Sequence, residues 1–377
     1  MINVRREELL PALATFKKIT SPRNNEMEIL NNVIIEADAN KLKLFGTDLN
    51  IQATVTLRCN GDGNIVTTAN ARALEKIVRA MPKKSIVYFN DNGTSLSVKD
   101  RENTFSIPTL SAKNMPAFDN TKVWKWTFAI GGDKLERINK KLFSAISTDE
   151  FRYYLNGVCW CVDQEHPEKL ISVATDGTRL AYLATDVVTS IASLPTIIIP
   201  RNFWQLAKGF FNVNELVIIS ISENKIRAWQ VRSRVRKEII SKLIDGTYPN
   251  FKVIVPQNNI KFRLKRTELI AAIKNVSTVF TQKKYMPINF SFGKKMLLLS
   301  TDNNAEGKIS TEVDVIHSNT SNAIETGFNG KLLLEILNAC EADEVVFALD
   351  PKSPRGAAII KEEWDNDVYY LLMPLRN

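Results

Sequence analysis

The chain has 377 residues, 44% hydrophobic and 24% charged, with 50 Lys and Arg against 41 Asp and Glu and a formal net charge of +9. That length exceeds what one hydrophobic core usually supports, so two or three domains are expected. Apolar runs such as Ile197-Ile198-Ile199 fall far short of the ~18 residues that cross a bilayer, Met1–Glu8 carries no apolar signal core, and Cys59, Cys159, Cys161 and Cys340 suit a reducing compartment, so a cytoplasmic protein is expected.

Leu9, Leu10, Leu13 and Phe16 recur at spacings of three and four and predict an amphipathic helix. A strand over Leu42–Phe45 then leads through Gly46 to Thr47-Asp48-Leu49. A second short helix is predicted over Ala71–Met81, with Leu74, Ile77 and Val78 inward, followed by alternating strands at Ser85–Phe89 and Ser95–Val98. Leu110, Pro116 and Phe118 close this stretch.

The same order begins again with a helix carrying Leu135, Ile138, Leu142 and Ile146. A strand over Leu170–Val173 runs into Ala174-Thr175-Asp176-Gly177-Thr178-Arg179-Leu180. A helix over Asn202–Phe211 (Phe203, Leu206, Phe210), strands at Leu216–Ile221 and Lys225–Val231, and the closing Leu243, Pro249 and Phe251 follow. A third pass has a helix with Leu269, Ile270, Ile273 and Val276, then Leu297–Leu299 leading to Ser300-Thr301-Asp302-Asn303. Its second helix spans Asn329–Cys340 (Leu332, Leu333, Ile336, Leu337), with strands at Glu344–Leu349 and Ala357–Lys361. The closing segment is absent from this copy, where Met373-Pro374-Leu375-Arg376-Asn377 ends the sequence. The Thr-Asp pairs are 175 − 47 = 128 and 301 − 175 = 126 residues apart, each close to a third of 377. An α+β chain of three repeated domains is expected, with borders at 1–124, 125–255 and 256–377.

The net positive charge favours a polyanionic partner, nucleic acid before membrane. Its placement is more informative. Arg72, Lys76 and Arg79 lie at i, i+4, i+7 opposite Leu74 and Ile77-Val78, and Lys134, Arg137 and Lys141, at i, i+3, i+7, make a similar stripe opposite Leu135, Ile138 and Leu142. Lys17, Lys18, Arg201, Lys208, Lys265, Arg266, Lys274 and Lys331 flank the other helices. Signs of catalysis are few. The only two histidines, His166 and His317, have no triad partners nearby, and Cys159-Trp160-Cys161 with His166 is a poor zinc set. Neither a phosphate-binding Gly-rich loop nor a dinucleotide fingerprint is present. Asp48, Asp176 and Asp302 are read as turn residues accepting local backbone N–H bonds rather than as metal ligands.

With the repeats in place, the chain resembles the bacterial replicative sliding clamps, the β subunits of DNA polymerase III. The resemblance runs through essentially the whole length. It is most specific at Arg152-Tyr153-Tyr154-Leu155-Asn156-Gly157, Ala174–Leu180, Ile199-Pro200-Arg201, Ser241–Phe251, Gly327-Phe328-Asn329 and Met373-Pro374-Leu375-Arg376. It implies a non-catalytic processivity factor with no cofactor: a head-to-tail homodimer, six domains around a closed ring, sheets outside and helices lining the central hole. Duplex DNA would be held without regard to sequence. The DNA-facing positions it implies are Arg23, Arg72, Lys76, Arg79, Lys134, Arg137, Lys141, Tyr153, Tyr154 and Arg201.

The resemblance also implies a groove that captures short linear peptides of polymerase subunits, the clamp loader and repair proteins. Its positions are Leu155, Thr175, Gly177, Thr178, Arg179, Leu180, Pro249, Ile254, Tyr285 and Asn329, with Leu371, Leu372, Met373, Pro374, Leu375 and Arg376. Aliphatic walls would take apolar side chains, with Arg179 and Asn329 as polar anchors. For the dimer contact it points to Phe105 and Ile107 on an edge strand, against Val279 and Phe280 of the other copy. Thr178 replaces a common His, Val253 a common basic residue, and Met27-Glu28-Ile29-Leu30 the usual Leu-Pro-Ile-Leu. Two rival readings stay open: a basic scaffold that binds DNA without encircling it, and a metal-dependent nucleic-acid enzyme using the repeated aspartates.

Overall fold

The computed structural model describes residues 1–20, 27–116, 123–163, 166–187, 191–233, 235–281, 285–303, 307–350 and 356–375, with backbone alone at 302 and 303. Six α-helices occur among them: α1 (Arg6–Ile19), α2 (Ala71–Ala80), α3 (Gly132–Leu142), α4 (Arg201–Ala207), α5 (Arg266–Val276) and α6 (Gly330–Ala339). Each falls where the apolar spacing predicts one. Only α4 is clearly shorter than expected, ending at Ala207, with Gly209 in the left-handed region at φ +69°.

The chain divides into two compact units. The first comprises Met1–Glu136, Val187–Ser193 and Ile199–Leu243; the second comprises Arg137–Asp186, Leu194–Ile198 and Ile244–Asn377. The middle repeat is thus shared between them, because sheet pairing does not stop at repeat borders. Val235–Lys242 pairs with Ile51–Arg58 of the first repeat, and Arg179–Asp186 pairs with Val368–Leu372 of the third.

In the first unit an antiparallel sheet runs in the order Asn60–Gly61, Ile2–Arg5, Ile86–Asp91, Ser95–Lys99, Thr104–Pro108. An eight-stranded sheet runs Trp126–Gly131, Leu216–Ile221, Lys225–Arg232, Val235–Lys242, Ile51–Arg58, Lys41–Thr47, Asn32–Ala37, Ile65–Asn70. Helix α1 buries Leu9, Ala12, Leu13, Phe16 and Ile19. Gly46 lets the Phe16 ring approach the sheet, since a Cβ there would lie 2.8 Å from the ring. Helix α2 buries Leu74 and Val78 and is capped by Asn70, whose side chain accepts from the Arg72 and Ala73 amides.

The second unit is built on a twelve-stranded sheet. Its order is Ile197–Pro200, Gly157–Val162, Lys169–Thr175, Arg179–Asp186, Val368–Leu372, Ala358–Glu362, Glu344–Leu349, Ile260–Lys265, Gly307–Ser318, Met296–Asn303, Pro287–Phe292, Ile324–Asn329. Alternating residues bury Phe262, Phe290, Phe292, Phe328 and Phe347, whose rings stand 5.0–6.0 Å apart in tilted, stacked and edge contacts.

The three Thr-Asp pairs do not behave alike. Asp48 Oδ1 accepts from the Asn50 and Ile51 amides at 2.9 and 2.8 Å, and Asp176 Oδ1 from the Thr178 and Arg179 amides at 2.9 and 3.1 Å. Both are the expected Asx-type turns. The third pair departs from expectation: Asp302 and Asn303 continue the strand, opposite Lys308 and Gly307, and the Thr301 hydroxyl donates across to the Pro287 carbonyl. Strand pairing claims the backbone that the other two copies give to a turn.

Candidate partner-peptide groove and nucleic-acid interface

The turn at Thr175–Arg179 organises one surface of the second unit. The Thr175 hydroxyl accepts from the Gly177 amide at 3.1 Å and donates to the Arg179 carbonyl. Gly177 sits at φ +89°, a left-handed backbone that favours glycine, with the Arg152 guanidinium 2.5 Å from the place of a Cβ. Beyond the turn, Leu180 faces Leu371 across paired strands. Both join Leu155, Val173, Tyr248, Phe251 and Ile359 in one buried cluster. Leu155, Leu180, Leu371 and Leu372 are each no more than 4% exposed. Leu155, Leu180 and Leu371 form the floor beneath this surface rather than open walls, whereas Leu372, next to Leu371 on its strand, falls on the opposite face of the sheet.

The exposed part is supplied by other residues. Gly177, Thr178, Pro249, Ile254, Tyr285 and Met373 are exposed, and Pro374 and Leu375 half-buried. The last segment is pinned at both ends: the Met373 amide donates to the Thr178 carbonyl at 2.9 Å, and the Leu375 amide to the Gly327 carbonyl at 2.7 Å. Arg376 lies outside the described residues.

The expected polar anchors need correcting. Arg179 is 7% exposed and already engaged: its Nε meets Asp176 at 3.0 Å and its Nη1 meets Glu335 at 2.7 Å, while Nη2 donates to the Ser144 carbonyl. It ties the turn to α6 and to the end of α3, and is not a free donor. Asn329 caps α6, its Oδ1 accepting from the Lys331 amide at 3.1 Å and the Met286 amide at 3.2 Å. That orients Tyr285, which adjoins Met286 and stands 57% exposed. At the rim Val253 is 76% exposed, and neighbouring Lys252 is paired with Asp163 at 3.5 Å.

The basic stripes part company. On α2, Arg72, Lys76 and Arg79 are all exposed, opposite buried Leu74 and Val78. Buried Glu75 holds Arg79 and also meets Lys17 at 3.4 Å. Burial works to raise the Glu75 carboxyl pKa, but the hydrogen bond and charge of Arg79, with Lys17, outweigh it and hold the group below its ordinary value. The α3 stripe does not form as expected. Lys141 is 1% exposed and bonded to Glu362, with Glu341 at 3.3 Å; Arg137 is tied to Asp365 at 2.5 Å. Exposed Lys140, which the spacing did not single out, pairs with Glu341 at 2.5 Å. Lys134 and Arg201 are half-buried. Arg137, Lys140 and Lys141 thus pair with carboxylates of the second unit, and buried Lys141 has no face to offer a phosphate.

Tyr153 is 53% exposed and meets half-buried Tyr154 edge-on at 5.9 Å. Phe151, absent from the sequence expectation, is 94% exposed beside them; an isolated aromatic in a polar loop carries no periodic signal that would flag it. Arg23 lies outside the described residues. Phe105 is half-buried on Thr104–Pro108, the edge strand of the five-stranded sheet, and Val279 is half-buried after α5. Ile107 and Phe280 are 4% and 8% exposed. Both are largely covered within their own chain, so Phe105 and Val279 are the more exposed members of the expected contact. Among the described residues, no group of three or more His, Cys, Asp or Glu is placed to hold a metal, and no helix is long and apolar enough to cross a membrane.

Repeated helix-and-sheet domains with an exposed basic helix face and a peptide-sized surface beside the Thr-Asp turn define a clamp-type tethering subunit without catalytic machinery. The chain belongs to the DNA polymerase III beta subunit family, matching its N-terminal domain over residues 1–119, its central domain over 129–250 and its C-terminal domain over 252–376. It is 28% identical over 381 residues to the beta sliding clamp of Caulobacter vibrioides, covering 100% of this chain and 99% of that one. With the Escherichia coli beta sliding clamp the identity is 25%, covering 99% of each. In three dimensions it is similar to the DnaN sliding clamp from Bartonella birtlesii bound to griselimycin (TM-score 0.91, 28% identity, 100% and 99% covered). A beta sliding clamp from C. crescentus compares at TM-score 0.88 and 27% identity, with 100% and 98% covered.

Proposed function

We propose that two copies of this chain close head to tail into a ring around duplex DNA and tether polymerase subunits and other DNA-processing proteins through short linear peptides. The observation that carries the reading is the succession of three family domains, in order, over residues 1–119, 129–250 and 252–376. Ring membership accounts for the α2 stripe, because cations that neutralise phosphates release counterions and attract any duplex sequence alike. Retention then follows from topology, so contacts stay weak enough for sliding. The cytoplasm, where replication proceeds, is the matching compartment. The repeat borders 1–124, 125–255 and 256–377 are proposed as the clamp domains, and the edge strand Thr104–Pro108 as one half of each dimer contact.

For the peptides we assign the surface between Thr178, Ile254, Tyr285 and the Met373–Leu375 segment. An apolar or aromatic anchor settling over the Leu155, Leu180 and Leu371 floor supplies most of the energy, an aromatic side chain burying ~150–250 Å². The test is a titration of a fluorescent peptide bearing Gln, Leu and a terminal Leu-Phe, against the full chain and a chain ending at Leu372. Binding is expected to vanish with the truncation while a species of twice 42.6 kDa persists on a sizing column. Equal binding by both would place the partner site elsewhere.

A further inference from the structure

The internal repeat relates the sheets of the two units residue by residue. Adding 128 to Phe45 gives Val173, and to Gln52 gives Leu180. The ladders agree, because Ile34 faces Phe45 as Cys159 faces Val173, and Gln52 faces Ile240 as Leu180 faces Leu371. In the second unit this face is filled by the apolar cluster under the peptide surface. In the first unit the same face carries only a small apolar cluster, Ile29, Leu30, Ile34 and Met115 with Phe45 and Leu110 against it, and stays partly open. It holds a pocket of about 460 Å³ with Ile34, Phe45 and Met115 as apolar lining, Lys41 and Gln52 as polar lining, and Pro116 in the closing segment where the second repeat has Pro249. That volume lies within the ~300–1,000 Å³ of ordinary ligand sites.

Two polar groups in the lining await partners. Gln52 is 6% exposed, and its Oε1 is buried without a hydrogen-bond partner among the described residues. A buried acceptor left unmade is costly, which makes Gln52 a seat for an N–H donor. Lys41 is exposed and meets no carboxylate among the described residues. The other lining charges are spent: Glu36 pairs with Lys43 at 2.8 Å, and Glu238 with Arg236 at 2.8 Å and Arg227 at 2.6 Å. What remains is the Gln52 acceptor, the Lys41 cation, the hydroxyl-bearing Thr54 and Thr56, and an apolar floor.

We propose that this pocket is a second peptide site, independent of the one proposed in the second unit, taking an extended segment with an acidic residue beside an apolar one. A backbone N–H satisfies Gln52, the carboxylate meets Lys41, and the apolar side chain covers Ile34, Phe45 and Met115. The position that reads Leu180 in the second unit reads Gln52 here, so the repeat offers two surfaces of opposite taste.

The experiment is affinity selection on the immobilised full chain at ~0.15 M salt, where surface charges further apart than ~8 Å are screened. The probe is a pool of acetylated hexapeptide amides with two adjacent positions fixed as Asp-Leu and the rest random, read by mass spectrometry against a matched Asn-Leu pool. Tenfold or greater enrichment of the Asp pool is expected. It should fall to the Asn level in Lys41→Glu and drop severalfold in Gln52→Leu, with neither melting temperature lowered. Lys295→Glu, the same charge change in the other unit, should keep it, as should an excess of the Gln-Leu-Leu-Phe peptide. No enrichment, enrichment surviving both pocket variants, loss in Lys295→Glu, or displacement by the Gln-Leu-Leu-Phe peptide would each overturn the second site.

Discussion

Gly177 shows how narrowly a single position is specified. Its φ of +89° lies in the left-handed region that favours glycine, whereas the Arg152 guanidinium near the place of a Cβ is the end of a flexible side chain and can move aside. Gly177→Ala is expected to cost roughly 1–2 kcal/mol from the left-handed backbone alone, read as a lowered urea midpoint, and to weaken groove-peptide binding by displacing Thr178. An unchanged midpoint would mean the turn relaxes freely. Glu75 gives a pH test. Its folded pKa lies below the ordinary value, so its contribution to stability is present above pH ~4.5 and is lost as pH falls through the folded value. Glu75→Gln should therefore be less stable than the parent at pH 7, the difference shrinking toward pH 3. A difference independent of pH would remove the ion pair with Arg79 and Lys17 as its cause.

At the scale of elements, helix α2 and helix α3 carry similar basic stripes with opposite fates. Replacing Arg72, Lys76 and Arg79 by Ala should lower the log–log salt slope of DNA binding by about 2.7, at ~0.9 per lost phosphate contact. Lys141→Met should leave that slope unchanged and cost on the order of 3–5 kcal/mol, the penalty for stranding a buried partner, here Glu362. If the α3 variant moved the slope and the α2 variant did not, the assignment would be reversed. The α2 stripe was legible in sequence because period 3.6 alone separates its cations from Leu74 and Val78. The α3 stripe read similarly, yet its partners lie 221 residues away for Lys141 and 228 for Arg137. No local pattern reports a tertiary ion pair. Likewise, Leu180 and Leu371 were reached through family resemblance, and their registered contact and burial arise only from strands far apart in sequence. The exposed rim, Val253, Ile254 and Tyr285, lies in irregular segments with no periodicity, and was reached through family resemblance alone. There Val253 predicts that acidic flanks add little affinity to a groove peptide, checked by comparing Asp- and Asn-flanked versions in one titration.

For the whole molecule, the threefold repeat was plain in the Thr-Asp spacing, whereas its consequence for sheet continuity was not. Borders at the repeats predict three separate cores, but strands pair across them and two compact units result. Closure of a ring leaves no periodic trace in a chain, because it depends on the angle at which one copy meets the next. The central claim is therefore topological, and a topological measurement tests it most directly. The chain is loaded by a clamp loader and ATP onto nicked circular DNA, the complex is isolated, and retention is followed before and after one cut that linearises the circle. Encirclement predicts stable retention on the circle even at high salt and rapid loss by sliding off once ends exist. Equal retention on both forms, lost only as salt is raised, would contradict the ring and leave a basic scaffold that merely adheres to DNA.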